Sequence, residues 1–75
     1  MKRAKIVNTK KASIRKDVSD PNDDKDNIGT LSKGDIVSID SDNIYYDWTG
    51  KEFYKCESNF GEGFIRCELV ELINR

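Results

Sequence analysis

Apolar and polar residues alternate along most of the chain. In "KASIRK" Ala12 and Ile14 point one way and Ser13 and Arg15 the other, the period of two of a half-buried strand. "GDIVSID" places Val37 and Ile39 on one face after a Lys33-Gly34 turn. "EFYKCE" sets Tyr54 and Cys56 against Phe53, Lys55 and Glu57, and "GFIRC" sets Ile65 and Cys67 against Phe64 and Arg66. No segment holds an i, i+3, i+4, i+7 stripe long enough for a helix, although "RCELVELI" suits one short helical turn. The pattern predicts an all-β protein.

Turn chemistry punctuates these strands. Asp47-Trp48-Thr49-Gly50 suits a type I turn closed by a left-handed glycine, with strands near 44–47 and 51–57 flanking it as an extended hairpin. A second hairpin bends near Phe60-Gly61, so that residues whose numbers sum to about 121 face each other. "DVSDPNDDKDN" (17–27) carries five aspartates and one proline with almost no apolar residue, and is expected to be an exposed acidic loop. Ala12, Ile14, Ile28, Leu31, Val37, Ile39, Tyr54, Cys56, Ile65 and Val70 supply one small core. At 75 residues the chain is a single domain (1–75), with 1–3 and 73–75 expected to fray.

The order of the pieces resembles the bacterial SH3-type domain (SH3b). That family shows a strand like leucine-x-valine-arginine, a long loop, "IGTLxKGxxVxV", a "WYKV" strand, a turn, and "GxxGWVxxxYL". Here the counterparts are "ASIRK", "NIGTLSKGDIVSI", "EFYKCE" and "FGEGFIRCELVEL", in order from about Ala4 to Leu72. The resemblance implies a small SH3-like barrel of about five to seven short antiparallel strands. It also implies a ligand groove lined by Phe53, Phe64 and Leu69, which stand where the family has a tryptophan, a second tryptophan and a tyrosine. Lys16 and Asp17 replace the small residues that usually follow the first motif's arginine.

Charge adds an asymmetry. Lys2, Arg3, Lys5, Lys10, Lys11, Arg15 and Lys16 fall in the first 16 residues with no acid among them, although the whole chain carries 13 Lys/Arg against 14 Asp/Glu. Such a basic end suits a solvated face or a contact with nucleic acid. The acidic remainder alternatively suits an inhibitor that imitates nucleic acid. "MKRAKIVNTKK" lacks the apolar run of a signal peptide, and no stretch approaches the roughly 20 apolar residues of a membrane helix. A cytoplasmic, free-standing monomer without membrane contact is therefore expected, wall- or phage-associated only within a larger or co-exported assembly.

Catalytic and metal chemistry find little to use. There is no histidine, the commonest general base and metal ligand. Gly29 and Gly34 have P-loop spacing, but Asp35 follows where lysine is needed. Cys56 and Cys67 lack a base, have no second pair for zinc, and are expected as free thiols. Asp20, Asn22 and Asp24 imitate the start of a calcium loop, yet Lys25 and Leu31 occupy positions that demand glycine and glutamate. No enzyme, metal or cofactor is expected. The expected function is a non-catalytic recognition module, possible in a small phage or mobile-element protein. It would hold a peptide or protein segment, with a cell-wall peptide as one form, between the acidic loop and the hairpin. The candidate binding residues are Tyr45, Tyr46, Trp48, Phe53, Phe64 and Leu69, with Asp20, Asp23 and Asp24 receiving a basic group of the ligand.

Overall fold

A computed structural model describes residues 1–17 and 27–73. Seven strands form one antiparallel sheet: β1 (Lys2–Ile6), β2 (Lys11–Arg15), β3 (Asn27–Ser32), β4 (Ile36–Tyr46), β5 (Glu52–Ser58), β6 (Gly61–Arg66) and β7 (Val70–Ile73). Their spatial order is β3-β2-β6-β5-β4-β1-β7, and a single 3₁₀ turn, Cys67–Leu69, joins β6 to β7. The helical turn expected in "RCELVELI" is this 3₁₀ turn, after which Val70 returns to extended backbone.

Alternation along the strands selects one buried face. Ala4, Ile6, Ala12, Ile14, Val37, Ile39, Cys56 and Ile65 are at most 3% exposed and pack together with Leu31. Ile28, Tyr54, Leu69 and Val70 close the cluster from its margins. With no helical layer among the described residues to cover this face, the sheet curves so that Ala4 and Ile6 of β1 and Ala12 and Ile14 of β2 share one cluster, within extents of 33 × 23 × 22 Å. Each large side chain so buried stabilises the fold by about 1.5–3 kcal/mol.

Three features depart from the expectation. Lys2 and Arg3 are not frayed: they pair with Ile39 and Ser38 inside β1, which sits between β4 and β7 and places Ala4 and Ile6 in the core. The second hairpin turns one residue earlier than predicted, at Asn59-Phe60, with Gly61 taking the left-handed conformation (φ 104°). Facing residues therefore sum to 119: Tyr54 opposes Ile65 and Cys56 opposes Gly63. Finally, Ile36–Tyr46 is one long strand instead of two, interrupted by a bulge between Asp40 and Tyr45. The Asp40 carboxylate organises that bulge by accepting from the Asp42 amide (3.0 Å) and the Asn43 side chain (3.2 Å).

Two glycines sit where a side chain would collide, but with unequal consequences. A Cβ at Gly63 would lie 2.6 Å from Ile14 Cγ2 and 2.7 Å from the Arg15 carbonyl, where β2 meets β6 through the Arg15–Phe64 pair. A Cβ at Gly29 would meet the ring of Phe60 first, at 2.2 Å, and Phe60 is half exposed. Gly63→Ala is expected to cost about 1–3 kcal/mol, because backbone must move. Gly29→Ala should stay within about 1 kcal/mol, because the ring can swing into solvent. Urea midpoints of the two variants check this, and equal losses would contradict it.

Candidate ligand groove

The groove is assembled from the sheet face opposite the core. On β5, Phe53 stands opposite Tyr45 on one side and Arg66 on the other, one residue out of phase with the core positions Tyr54 and Cys56. On β2, Lys11, Ser13 and Arg15 alternate with the core residues Ala12 and Ile14. The curl brings these positions together with the Asp47–Gly50 hairpin and Leu69 of the 3₁₀ turn around a cavity of about 470 Å³. Phe53 forms its floor and is only 2% exposed, whereas Trp48 stands at its wall and is 69% exposed.

Asp47 holds that wall in place. Its Oδ1 accepts from the Thr49 amide (2.8 Å), the Thr49 hydroxyl (2.6 Å) and the Lys51 amide (3.0 Å). The Gly50 amide donates to the Asp47 carbonyl (3.0 Å), and Gly50 takes the positive φ of 88° that the turn requires. Asp47 itself is 6% exposed, and its Oδ2 is buried without a hydrogen-bond partner among the described residues. Desolvation pushes its pKa up, but the Thr49 hydroxyl, the Lys51 and Thr49 amides and the Lys51 charge together hold the carboxyl below its ordinary value. A lowered folded pKa means that the carboxylate stabilises the fold above the unfolded value of about 4 and ceases to as the pH falls through the folded value. Thermal melts of the native protein should therefore fall more steeply below about pH 4 than those of Asp47→Asn. Parallel curves would show that the carboxylate charge does not hold the hairpin.

The opposite wall is held from the β1–β2 connection. The Val7 amide donates to the Leu69 carbonyl (2.8 Å). Asn8, in the left-handed region at φ 35°, donates from its side chain to the Glu68 carbonyl (3.0 Å). These bonds seat the 3₁₀ turn and with it Leu69. Arg66 lies alongside, paired with Glu68.

Of the residues singled out from sequence, Trp48, Phe53 and Leu69 come together here. Tyr45, the cross-strand partner of Phe53, and Phe64, the cross-strand partner of Arg15, make an edge-to-face pair (centroids 5.1 Å, planes at 68°) without themselves lining the cavity. Tyr46 is 60% exposed and also lies outside it. Asp20, Asp23 and Asp24 fall outside the described residues. Sequence reading overlooks the cations of the lining, Lys11, Arg15, Lys51 and Arg66. The alternation of "KASIRK" was the available signal for the first two, since every residue off the core face of β2 between 11 and 15 lines the groove.

Both cysteines are free, Cys56 buried and Cys67 half-buried. Desolvation pushes the Cys56 thiol up to about 11, so at neutral pH it is an inert core side chain rather than a nucleophile. Burial likewise raises Cys67 and Tyr54. Among the described residues no group of three His, Cys, Asp or Glu is placed to hold a metal, and no helix is long and apolar enough to cross a membrane. No family model, no curated protein and no solved structure matches the chain.

Proposed function

We propose that the protein is a non-catalytic recognition module, an SH3-like barrel of the bacterial type, that holds an extended peptide or protein segment in the groove beside Trp48. The carrying observation is the pairing of a buried aromatic floor, Phe53, with a largely exposed aromatic wall, Trp48, on the sheet face that the core does not use. A side chain that spends its apolar surface on solvent while its hydrogen-bonded turn is held rigid is pre-organised for a ligand. Three apolar positions with polar groups around them suit the side chains of an extended segment, and a cell-wall peptide is one ligand of that kind. The module acts as a monomer and needs no cofactor.

Nucleic-acid binding by a basic arm has less support. The basic residues Lys2, Arg3 and Lys5 belong to an inner strand and are not an arm, while Lys11 and Arg15 point into the groove.

Amide NMR spectra of the labelled protein test the proposal, titrated with soluble cell-wall peptides and with peptides selected from a random library. Shifts concentrated at 11–15, 47–53 and 66–69, abolished in Trp48→Ala, are the expected result. If neither class of peptide moves those amides, the groove is not a recognition site.

A further inference from the structure

The groove contains an acceptor that the fold leaves unused. Asp47 lines the cavity together with Phe53 and Trp48, and the residue is only 6% exposed. Its Oδ1 is committed to the turn, accepting from the Thr49 amide, the Thr49 hydroxyl and the Lys51 amide. Its Oδ2 is buried and accepts from nothing among the described residues. Three donors on one oxygen fix the plane of the carboxylate, so the direction of the other oxygen is fixed with it. A buried polar atom without a partner is rare, because its lost hydration is not repaid. On the rigid wall of a concave site, a ligand that brings a donor to such an atom recovers that loss with no further ordering of the protein.

Resting on the recognition-module proposal, we infer that Asp47 Oδ2 receives a neutral N–H of the bound segment, from its backbone or from a carboxamide side chain, beside an apolar side chain seated on Phe53 against Trp48. The exposed side chains of Trp48 and Lys51, in the same turn, move aside to admit it. A neutral donor suits this oxygen better than an ammonium or a guanidinium for two reasons. The Lys51 charge already acts on the carboxylate, so a cationic ligand group would be brought up against a like charge. Stripping water from a cation also costs far more than stripping it from an amide. The oxygen discriminates by polarity as well. An ionised carboxylate only accepts, so a carbonyl or a carboxylate of the ligand at this point would meet lone pairs with no proton between them. Oδ1 thus holds the wall, and Oδ2 sets where along its length the segment seats.

The test begins with selection from a library of random linear peptides on the full chain, with Trp48→Ala as the background. The best synthetic peptide is then remade with one N–H removed at a time, backbone amides as esters and carboxamides as methyl esters. Removing one particular N–H should weaken binding to the native protein at least about tenfold. The same change should alter binding to Asp47→Asn by less than about twofold, and the comparison cancels whatever else the ester changes. In that variant the carboxamide oxygen takes over the Oδ1 bonds, which places an NH₂ donor where Oδ2 stood. If Asp47→Asn fails to give a native amide spectrum, the carboxyl ¹³C signal of Asp47 in the native protein supplies the reading. It should move with the peptide and stay still with the ester analogue that lost affinity. Equal losses on both proteins at every position, or a carboxyl signal that does not move, overturn the role of Asp47 and leave the recognition module standing. A loss coupled to Asp47 only when Lys or Arg of the peptide is replaced by Met overturns the neutral donor in favour of a cation. No enrichment above the Trp48→Ala background removes the recognition module itself.

Discussion

Phe53→Ala is expected to remove about 3–5 kcal/mol of stability, the usual cost of emptying a buried phenylalanine site. Folded domains hold roughly 0.05–0.15 kcal/mol per residue, so about 4–11 kcal/mol is all that a chain of 75 residues has to lose. The variant should sit close to its unfolding transition. The loss is unusual in origin, because Phe53 does not belong to the central cluster of Ala4, Ile14, Ile39 and Ile65. It is buried on the opposite face, in the cavity that Trp48, Leu69 and the basic side chains also line. Urea unfolding followed by circular dichroism measures the effect, with a lowered midpoint at unchanged slope as the signature. An unchanged midpoint would mean that Phe53 faces open solvent, and that the groove has no floor. Phe53→Leu serves as a milder companion that keeps the fold while reshaping the floor, so that binding and stability can be read apart.

Ile6→Ala should cost about 2–5 kcal/mol, although the residue lies in a segment that reads as a basic tail. Ile6 is fully buried and opposes Val70 of β7. Its amide donates to the Asp35 carbonyl and its carbonyl accepts from the Gly34 amide, both at 2.9 Å. The backbone at Ile6 thus joins the N-terminal strand, the β3–β4 turn and the C-terminal strand at one point, and its side chain is buried in the core cluster beside them. Lys5→Ala, one residue away and exposed, should change stability by no more than about 0.5 kcal/mol. A comparison of the two midpoints decides the matter, and similar small losses would return residues 2–6 to the status of a tail.

Period-two alternation, turn glycines and a missing helical stripe were enough to specify strands and an all-β class, because they depend on neighbours in sequence. Ala12, Ile14, Val37, Ile39, Cys56 and Ile65 are legible as core for that reason, and Gly34, Gly50 and Gly61 as reversals because each takes a positive φ. The Asp47–Gly50 turn is legible too, since its hydrogen bonds close within five residues.

What lies across the sheet was decided only by the curl. Alternation says that Phe53 faces away from Cys56, but not that β2, the hairpin and Leu69 close over it. The aromatic candidates looked like one cluster along the chain, yet only Trp48 and Phe53 among them line the cavity, while Tyr45 and Phe64, the cross-strand neighbours of Phe53 and Arg15, pack on each other. β1 escaped notice because two apolar residues, Ala4 and Ile6, among lysines and arginine are too few to carry a local pattern; pairing with β4 and β7 makes them core. The basic side chains of the lining were equally hidden. Lys11 and Arg15 are distant in sequence from Lys51 and Arg66, and only a curled sheet sets their charges around one cavity.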